Sequence, residues 1–176
     1  FKDRPNDKFR FGRISREDAD KYAGDQLWVY ETMVAPVTKS GIILGYDKRS
    51  EKKIGTPPDW IRTYKANGIT QQEFYAHSSC IIQKCDTYEN YPRVGLEAMA
   101  SGSVLIVDKR GGWRKMVDHG RTGWLCNDAR DFVYYSSRMA YEVKEREEMA
   151  HNALDKLHTL NNKKVCKRDW EEIFSC

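Results

Sequence analysis

Six short apolar runs, separated by segments of helical character, constrain this chain more than any other feature. They span residues 8–14, 41–46, 60–64, 80–84, 103–108 and 122–126 and are rich in β-branched and aromatic residues. Two of them contain Ile42-Ile43-Leu44 and Val104-Leu105-Ile106-Val107, which lack the alternation of a strand with one wet face. Continuous apolar strands suit a parallel sheet covered on both sides, and parallel neighbours need crossover connections that helices supply. Helices are expected over 25–34, where Pro36 stops the first, and over 71–78, 92–100, 112–119, 130–141 and 144–160. The fold class is therefore α/β, a doubly wound parallel sheet whose ligand cleft lies at the carboxyl ends of the strands. The loops over 12–21, 65–70 and 89–94 are expected to converge there. The charged stretch 47–58, with Gly55 and Pro57-Pro58, reads as an exposed loop. Residues 1–165 are read as one domain. Within the tail 166–176, Trp170, Ile173 and Phe174 form the apolar side of a terminal helix over 168–174.

A chain of 176 residues builds one ordinary core but not two large lobes. It opens at Phe1 and contains no apolar stretch near the roughly 18 residues of a membrane span, so it reads as a soluble fragment. The net charge of +4 favours an anionic ligand or an acidic lipid surface. Basic residues are interleaved with acids rather than gathered in one stripe, which argues against a nucleic-acid-binding module. Cys80, Cys85, Cys126, Cys166 and Cys176 have neither C-x-x-C nor zinc-ligand spacing, and suit thiols in a reducing, cytoplasmic compartment.

The chemistry concentrates in Glu89-Asn90-Tyr91-Pro92-Arg93-Val94-Gly95-Leu96-Glu97-Ala98-Met99-Ala100-Ser101-Gly102. Pro92 suits the first turn of a helix, with Asn90 or Tyr91 at the cap. Glu89 then precedes the helix and Glu97 lies inside it. Backbone N–H groups near Arg93 and Val94 would face out of the helix N-terminus, a ready phosphate site. Carboxylates on either side of such a site accept hydrogen bonds from hydroxyls, an arrangement matched to sugar, diphosphate and ribose in a row. A bare pair of glutamates in a charged chain is by itself more often a solvated helix face.

The order of surrounding pieces narrows the choice. Glu97-Ala98-Met99-Ala100-Ser101-Gly102 leads into Val104-Leu105-Ile106-Val107, then Gly111-Gly112 and Thr122-Gly123-Trp124-Leu125. Upstream stand Phe11-Gly12-Arg13-Ile14-Ser15, Ile43-Leu44-Gly45, and Gly68-Ile69 followed by Glu73-Phe74-Tyr75. This series resembles the donor-binding C-terminal half of family-4, group 1 glycosyltransferases of the two-lobed GT-B architecture, and the likeness covers nearly the whole chain.

The resemblance implies a Rossmann-like lobe that binds a nucleoside-diphosphate sugar for a retaining glycosyl transfer. It assigns Glu89 to the transferred sugar, as the catalytic residue, and Glu97 to the ribose. Gly12 and Arg13 at the first strand's end, with Lys21, are assigned to the diphosphate, Ile69 and Lys65 to the nucleobase, and Arg93 and Val94 to the phosphate-facing helix start. Arg and Lys together neutralise a leaving diphosphate without a metal ion, so no metal or other cofactor is expected. The chain departs from the family at Asp18, where a Lys is usual and Lys21 is the nearest substitute, and at Tyr91-Pro92, which replaces a common Phe-Gly pair. An N-terminal lobe carrying much of the acceptor site is the implied partner, with the terminal helix packing on it and room for peripheral membrane contact in the longer protein.

Other readings stand beside this one. An epimerase-like GT-B enzyme would use the same nucleotide site but needs an acid/base pair on the sugar carbon, which the chain does not display. Asp18-Ala19-Asp20 has the form of a metal-diphosphate ligand pair, yet it lies in a stretch already crowded with charge. His77, His119, His151 and His158 lack telling spacing, and His119-Gly120 reads as a helix C-terminus. Trp113 and Trp124 read as packing residues.

Overall fold

The computed structural model describes residues 4–160. Six strands, β1 (Lys8–Ile14), β2 (Thr38–Leu44), β3 (Ile61–Tyr64), β4 (Cys80–Gln83), β5 (Val104–Asp108) and β6 (Gly123–Cys126), form one sheet in the order β3-β2-β1-β4-β5-β6. Every pairing is parallel. The chain builds outward from β1 through β2 to β3, then returns to lay β4 on the other side of β1. That reversal leaves a crevice above β1 and β4, where neighbouring connections run to opposite sides of the sheet.

The strands divide the core by their period of two. Val104 and Ile106 join Phe9, Phe11 and Ile43 on one face, against α1 (Gln26–Thr32) and α6 (Ala129–Tyr141). Leu105 and Val107 join Ile42, Leu44 and Ile81 on the other, against α3 (Gln71–His77), α4 (Arg93–Ser101) and α7 (Val143–Leu160). All five residues of β5 are buried, as its unbroken apolar sequence requires. Among the described residues, no helix is long and apolar enough to cross a membrane.

Local chemistry sets the helix starts. Thr70 and Glu73 form a reciprocal capping box on α3, and Asp128 caps α6 through the N–H groups of Arg130 and Asp131. Helix α4 differs: Pro92 occupies its N-cap position with no side-chain hydrogen bond. Proline therefore stands one position earlier than the first-turn placement expected. At the other end of α4, Gly102 adopts the left-handed conformation, and the Arg4 guanidinium donates to the carbonyls of Ser101 and Gly102.

Several expectations are corrected. The stretch 47–58 is not simply a loop, because Lys48–Ile54 forms a helix, α2. Asp47 caps it, and only Ser50 and Ile54 are buried, too sparse an inward pattern to stand out among five charged neighbours. Helix α5 covers only Trp113–Met116 rather than 112–119. His119 is consequently not a helix C-terminus; its Nδ1 accepts the Leu125 N–H at 3.1 Å, and its ring meets Trp124 and Tyr135 edge-on. Helix α1 stops at Thr32, short of 34, where Lys39 gathers the carbonyls of Tyr30, Glu31 and Met33. Strand β2 begins at Thr38, three residues early, in full register with β1. Cys80, Cys85 and Cys126 are free and buried, and burial raises all three thiols above the ordinary range, so each is a poor nucleophile. The expected terminal helix over 168–174, Cys166 and Cys176 lie outside the described residues.

Candidate functional site

The carboxyl ends of β1 and β4 open into a cleft of about 700 Å³. Its walls come from three loops far apart in sequence: Ser15 to Lys21 after β1, Ala66 to Thr70 after β3, and Glu89 to Pro92 after β4, with the first turns of α4 between them. The volume is that of a small-molecule site rather than a packing defect.

Glu89 is held in this cleft from two sides. The Lys21 ammonium donates to its Oε1 at 2.7 Å, and both side chains are about one-fifth exposed. Its backbone carbonyl accepts the Gly112 N–H at 2.6 Å. The Gly111-Gly112 turn lies so close to this loop that a Cβ on Gly112 would fall 2.1 Å from the Asn90 carbonyl oxygen, and one on Gly111 would fall 2.6 Å from that of Glu89. Gly111 also has φ of +55°, a conformation that glycine adopts without the Cβ penalty. The glycine pair thus shapes the loop that carries Glu89.

Glu97 lies one helical stretch further on, facing the same cleft from α4. Its Oε2 accepts the Tyr75 hydroxyl at 2.9 Å. Between the two carboxylates is the N-terminus of α4, where Arg93 and Val94 line the cleft. Because no side chain caps this helix, its first N–H groups and the positive end of its dipole are left for a ligand. Ile69 contributes an apolar patch to the far wall.

The structure therefore brings Lys21, Ile69, Glu89, Arg93, Val94 and Glu97 together around one space. It places Gly12, Arg13 and Lys65 elsewhere. Arg13 is fully buried. Its guanidinium donates to Gln26 Oε1 at 3.2 Å, to Ser15 Oγ at 2.9 Å and to the Lys21 carbonyl, while stacking 3.7 Å over the Tyr22 ring. It is a brace under the β1–α1 loop, not a cation presented to solvent. Gly12 is required by packing, since a Cβ there would lie 2.3 Å from Ser78 Oγ and 2.5 Å from the Phe74 ring. Lys65 is exposed outside the cleft lining, and its carbonyl closes the turn to Gly68.

Arg16 is the residue that sequence reasoning passed over. It is exposed and lines the same cleft as Lys21, which gives the cleft a second cation where Arg13 is buried. Its signal was its position in the loop after β1 at a sheet reversal, a place where side chains reach ligands irrespective of motif. Trp113, read as packing, is 2% exposed but also borders the cleft. Asp18 of the D-x-D pattern accepts the Asp20 N–H at 3.0 Å and caps a short 3-10 turn over Ala19–Lys21.

An all-parallel sheet with an uncapped helix start at its reversal, flanked by carboxylates and cations, has the doubly wound, Rossmann-like architecture of α/β domains. The family model described as "Glycosyl transferases group 1" matches residues 68–156, half of the chain, and includes both glutamates and the glycine pair. The chain belongs to that family. Its fold is shared with Anabaena Alr3699/HepE in complex with UDP, at 18% identity and a TM-score of 0.79 over 96% of this chain and 49% of that one. TarM superposes with a TM-score of 0.80 at 16% identity, covering 97% of this chain and 35% of that one. Sucrose-phosphate synthase from Thermosynechococcus elongatus gives 0.74 at 18% identity, covering 97% and 47%. The chain thus spans about half the length of HepE and of the synthase, and about a third of TarM. No curated protein sequence matches it.

Proposed function

We propose that this chain is the donor-binding half of a retaining glycosyltransferase and that its cleft holds a nucleoside-diphosphate sugar. The observation that carries the reading is the order of groups across one helix start: Glu97, then the free N–H groups near Arg93 and Val94, then Glu89 paired with Lys21. A nucleoside-diphosphate sugar has the same order, with ribose hydroxyls, an anionic diphosphate and sugar hydroxyls. The nucleobase is assigned to the wall formed by Ile69 and its loop. That HepE was determined in complexes with UDP-glucose and with UDP supports a nucleotide sugar as the ligand class. Family membership favours transfer over epimerisation.

In the reaction, the bond between the anomeric carbon and the diphosphate oxygen breaks, and its electron pair leaves on the diphosphate. Lys21, Arg16 and the α4 dipole meet that developing charge with donors already in place, which is where preorganised electrostatics lowers a barrier. Glu89 is the catalytic residue in this account, orienting the sugar through its hydroxyls. The acceptor hydroxyl's oxygen bonds to the anomeric carbon with retention of configuration, and its proton passes to the departing diphosphate oxygen. A second lobe, outside this chain, is proposed to supply much of the acceptor site.

The test is a two-by-two titration with nucleoside diphosphate and nucleotide sugar, repeated in EDTA. Glu97→Gln is expected to weaken both ligands about ten- to a hundredfold, as loss of hydrogen bonds to a charged group implies. Glu89→Gln is expected to weaken only the ligand that carries the sugar. Binding is expected to survive EDTA. Equal losses at Glu89 for both ligands, or dependence on added Mn²⁺, would overturn this assignment.

A further inference from the structure

We infer that Tyr75 is a positioning residue for ribose recognition, its hydroxyl fixing the Glu97 carboxylate so that one oxygen is held by the protein and the other is left for the nucleotide. The inference rests on the nucleotide reading above and deepens it. Tyr75 is buried in α3 at 6% exposure, and its hydroxyl lies 2.9 Å from Glu97 Oε2 on α4. The Val94 carbonyl, at 3.4 Å, is the more distant acceptor for the same proton. Among the described residues the Glu97 carboxylate has no other hydrogen-bond partner, so this one contact sets its orientation. A charge-assisted bond of this kind is stronger than a neutral one and fixes geometry as well as energy.

The donor itself is rigid. The Tyr75 ring packs edge-on against Phe74, with centroids 5.0 Å apart at 80°. Its backbone carbonyl accepts from the Arg4 guanidinium at 2.8 Å, and the same guanidinium holds the Ser101 and Gly102 carbonyls at the C-terminus of α4. Arg4 therefore ties α3 to α4 independently of the tyrosine side chain, and removal of the hydroxyl leaves that tie intact. Burial, reinforced by the Glu97 charge, raises the phenol far above its usual range, which keeps it a proton donor at every working pH.

A glutamate without this contact has to be ordered by the ligand, and the affinity equivalent of ordering a free glutamate side chain is about five- to thirtyfold. The loss belongs to the ribose alone. The experiment titrates the parent chain and Tyr75→Phe with UDP and GDP and with their 2′,3′-dideoxy counterparts, and repeats the substitution in a Glu97→Ala background. The expected result is a five- to thirtyfold loss for the ribonucleotide that binds the parent, no change for its dideoxy form, and no further effect of Tyr75→Phe once Glu97 is absent. Equal losses for both sugars, or a loss that persists without Glu97, would show a packing role and overturn the inference. If the parent bound none of the nucleotides, the nucleotide reading and this inference would fall together. Binding by the parent with an unchanged ribose preference in Tyr75→Phe would overturn this inference alone.

Discussion

Replacing Gly112 by alanine should cripple sugar recognition from a position that touches no ligand in this account. The added Cβ would lie 2.1 Å from the Asn90 carbonyl oxygen, 2.7 Å from the Asn90 carbonyl carbon and 3.0 Å from Pro92 Cδ. The first two neighbours are backbone atoms that no rotamer change removes, and ordinary contact between heavy atoms needs about 3.5 Å. The two segments must separate by more than about 1 Å. That breaks the 2.6 Å hydrogen bond from the Gly112 N–H to the Glu89 carbonyl. Gly112 has φ of −64°, so no backbone strain accompanies the change, and the effect is the clash alone. Overpacking of about 1–3 kcal/mol and a lost hydrogen bond of about 0.5–1.5 kcal/mol give a destabilisation of roughly 2–4 kcal/mol. For a domain of this size that is a fall in Tm of about 5–15 °C. Displacement of about 1 Å at an orienting group costs on the order of a hundredfold in rate, so the sugar-dependent increment of binding or turnover should vanish while nucleoside-diphosphate binding persists. Thermal melting and paired titrations, with and without the sugar, measure the two effects together. An alanine variant with parental Tm and undiminished preference for the sugar-bearing ligand would show that the glycine pair does not set the Glu89 loop.

Two further outcomes follow from the charges of the cleft and of the sheet. Arg16→Ala is expected to weaken nucleoside-diphosphate binding about tenfold and to flatten its dependence on salt, whereas Arg13→Ala is expected to lower Tm through the loss of a buried brace; titration across ionic strength, with melting curves, separates the two, and a parental salt profile in Arg16→Ala refutes the first. Asp108 accepts the Cys85 N–H at 2.8 Å, and burial raises its carboxyl above the ordinary value; the folded state then holds the proton more tightly than the unfolded state. The parent's stability relative to Asp108→Asn is therefore greatest below the ordinary carboxylate value and declines as pH rises through the raised one, and urea melts with a pH-independent difference would contradict this.

Much of the architecture was readable because burial on both faces leaves a mark on strand composition. Val104-Leu105-Ile106-Val107 permits hardly any other environment, and β5 occupies the interior of the sheet. The α2 helix was not readable, since Asp47 and Gly55 bracket seven residues with only two buried side chains, and charge with nearby prolines resembles a loop. At the site, the glutamates and the helix start between them were legible because a local run of sequence carries all of them. Lys21 was found only as a substitute for the expected lysine, and its contact with Glu89 spans 68 residues of chain. Arg13 illustrates the opposite difficulty. A Gly-Arg turn after the first strand marks the position, but whether its guanidinium faces solvent or the loop's interior is decided by Gln26, Tyr22 and Cys85, which no local pattern reveals. The glycine pair was recognisable as a motif, while its cause, the approach of the Glu89–Asn90 backbone, is a tertiary fact.

The central claim is that the α4 N-terminus receives the diphosphate, and a crystal structure of the chain with a bound nucleoside diphosphate tests it most directly. The account predicts phosphate oxygens about 3 Å from the backbone N–H groups of Arg93 and Val94, with Lys21 and Arg16 alongside and the ribose at Glu97. A diphosphate bound instead through a metal ion at Asp18 and Asp20, with the start of α4 vacant, would contradict it.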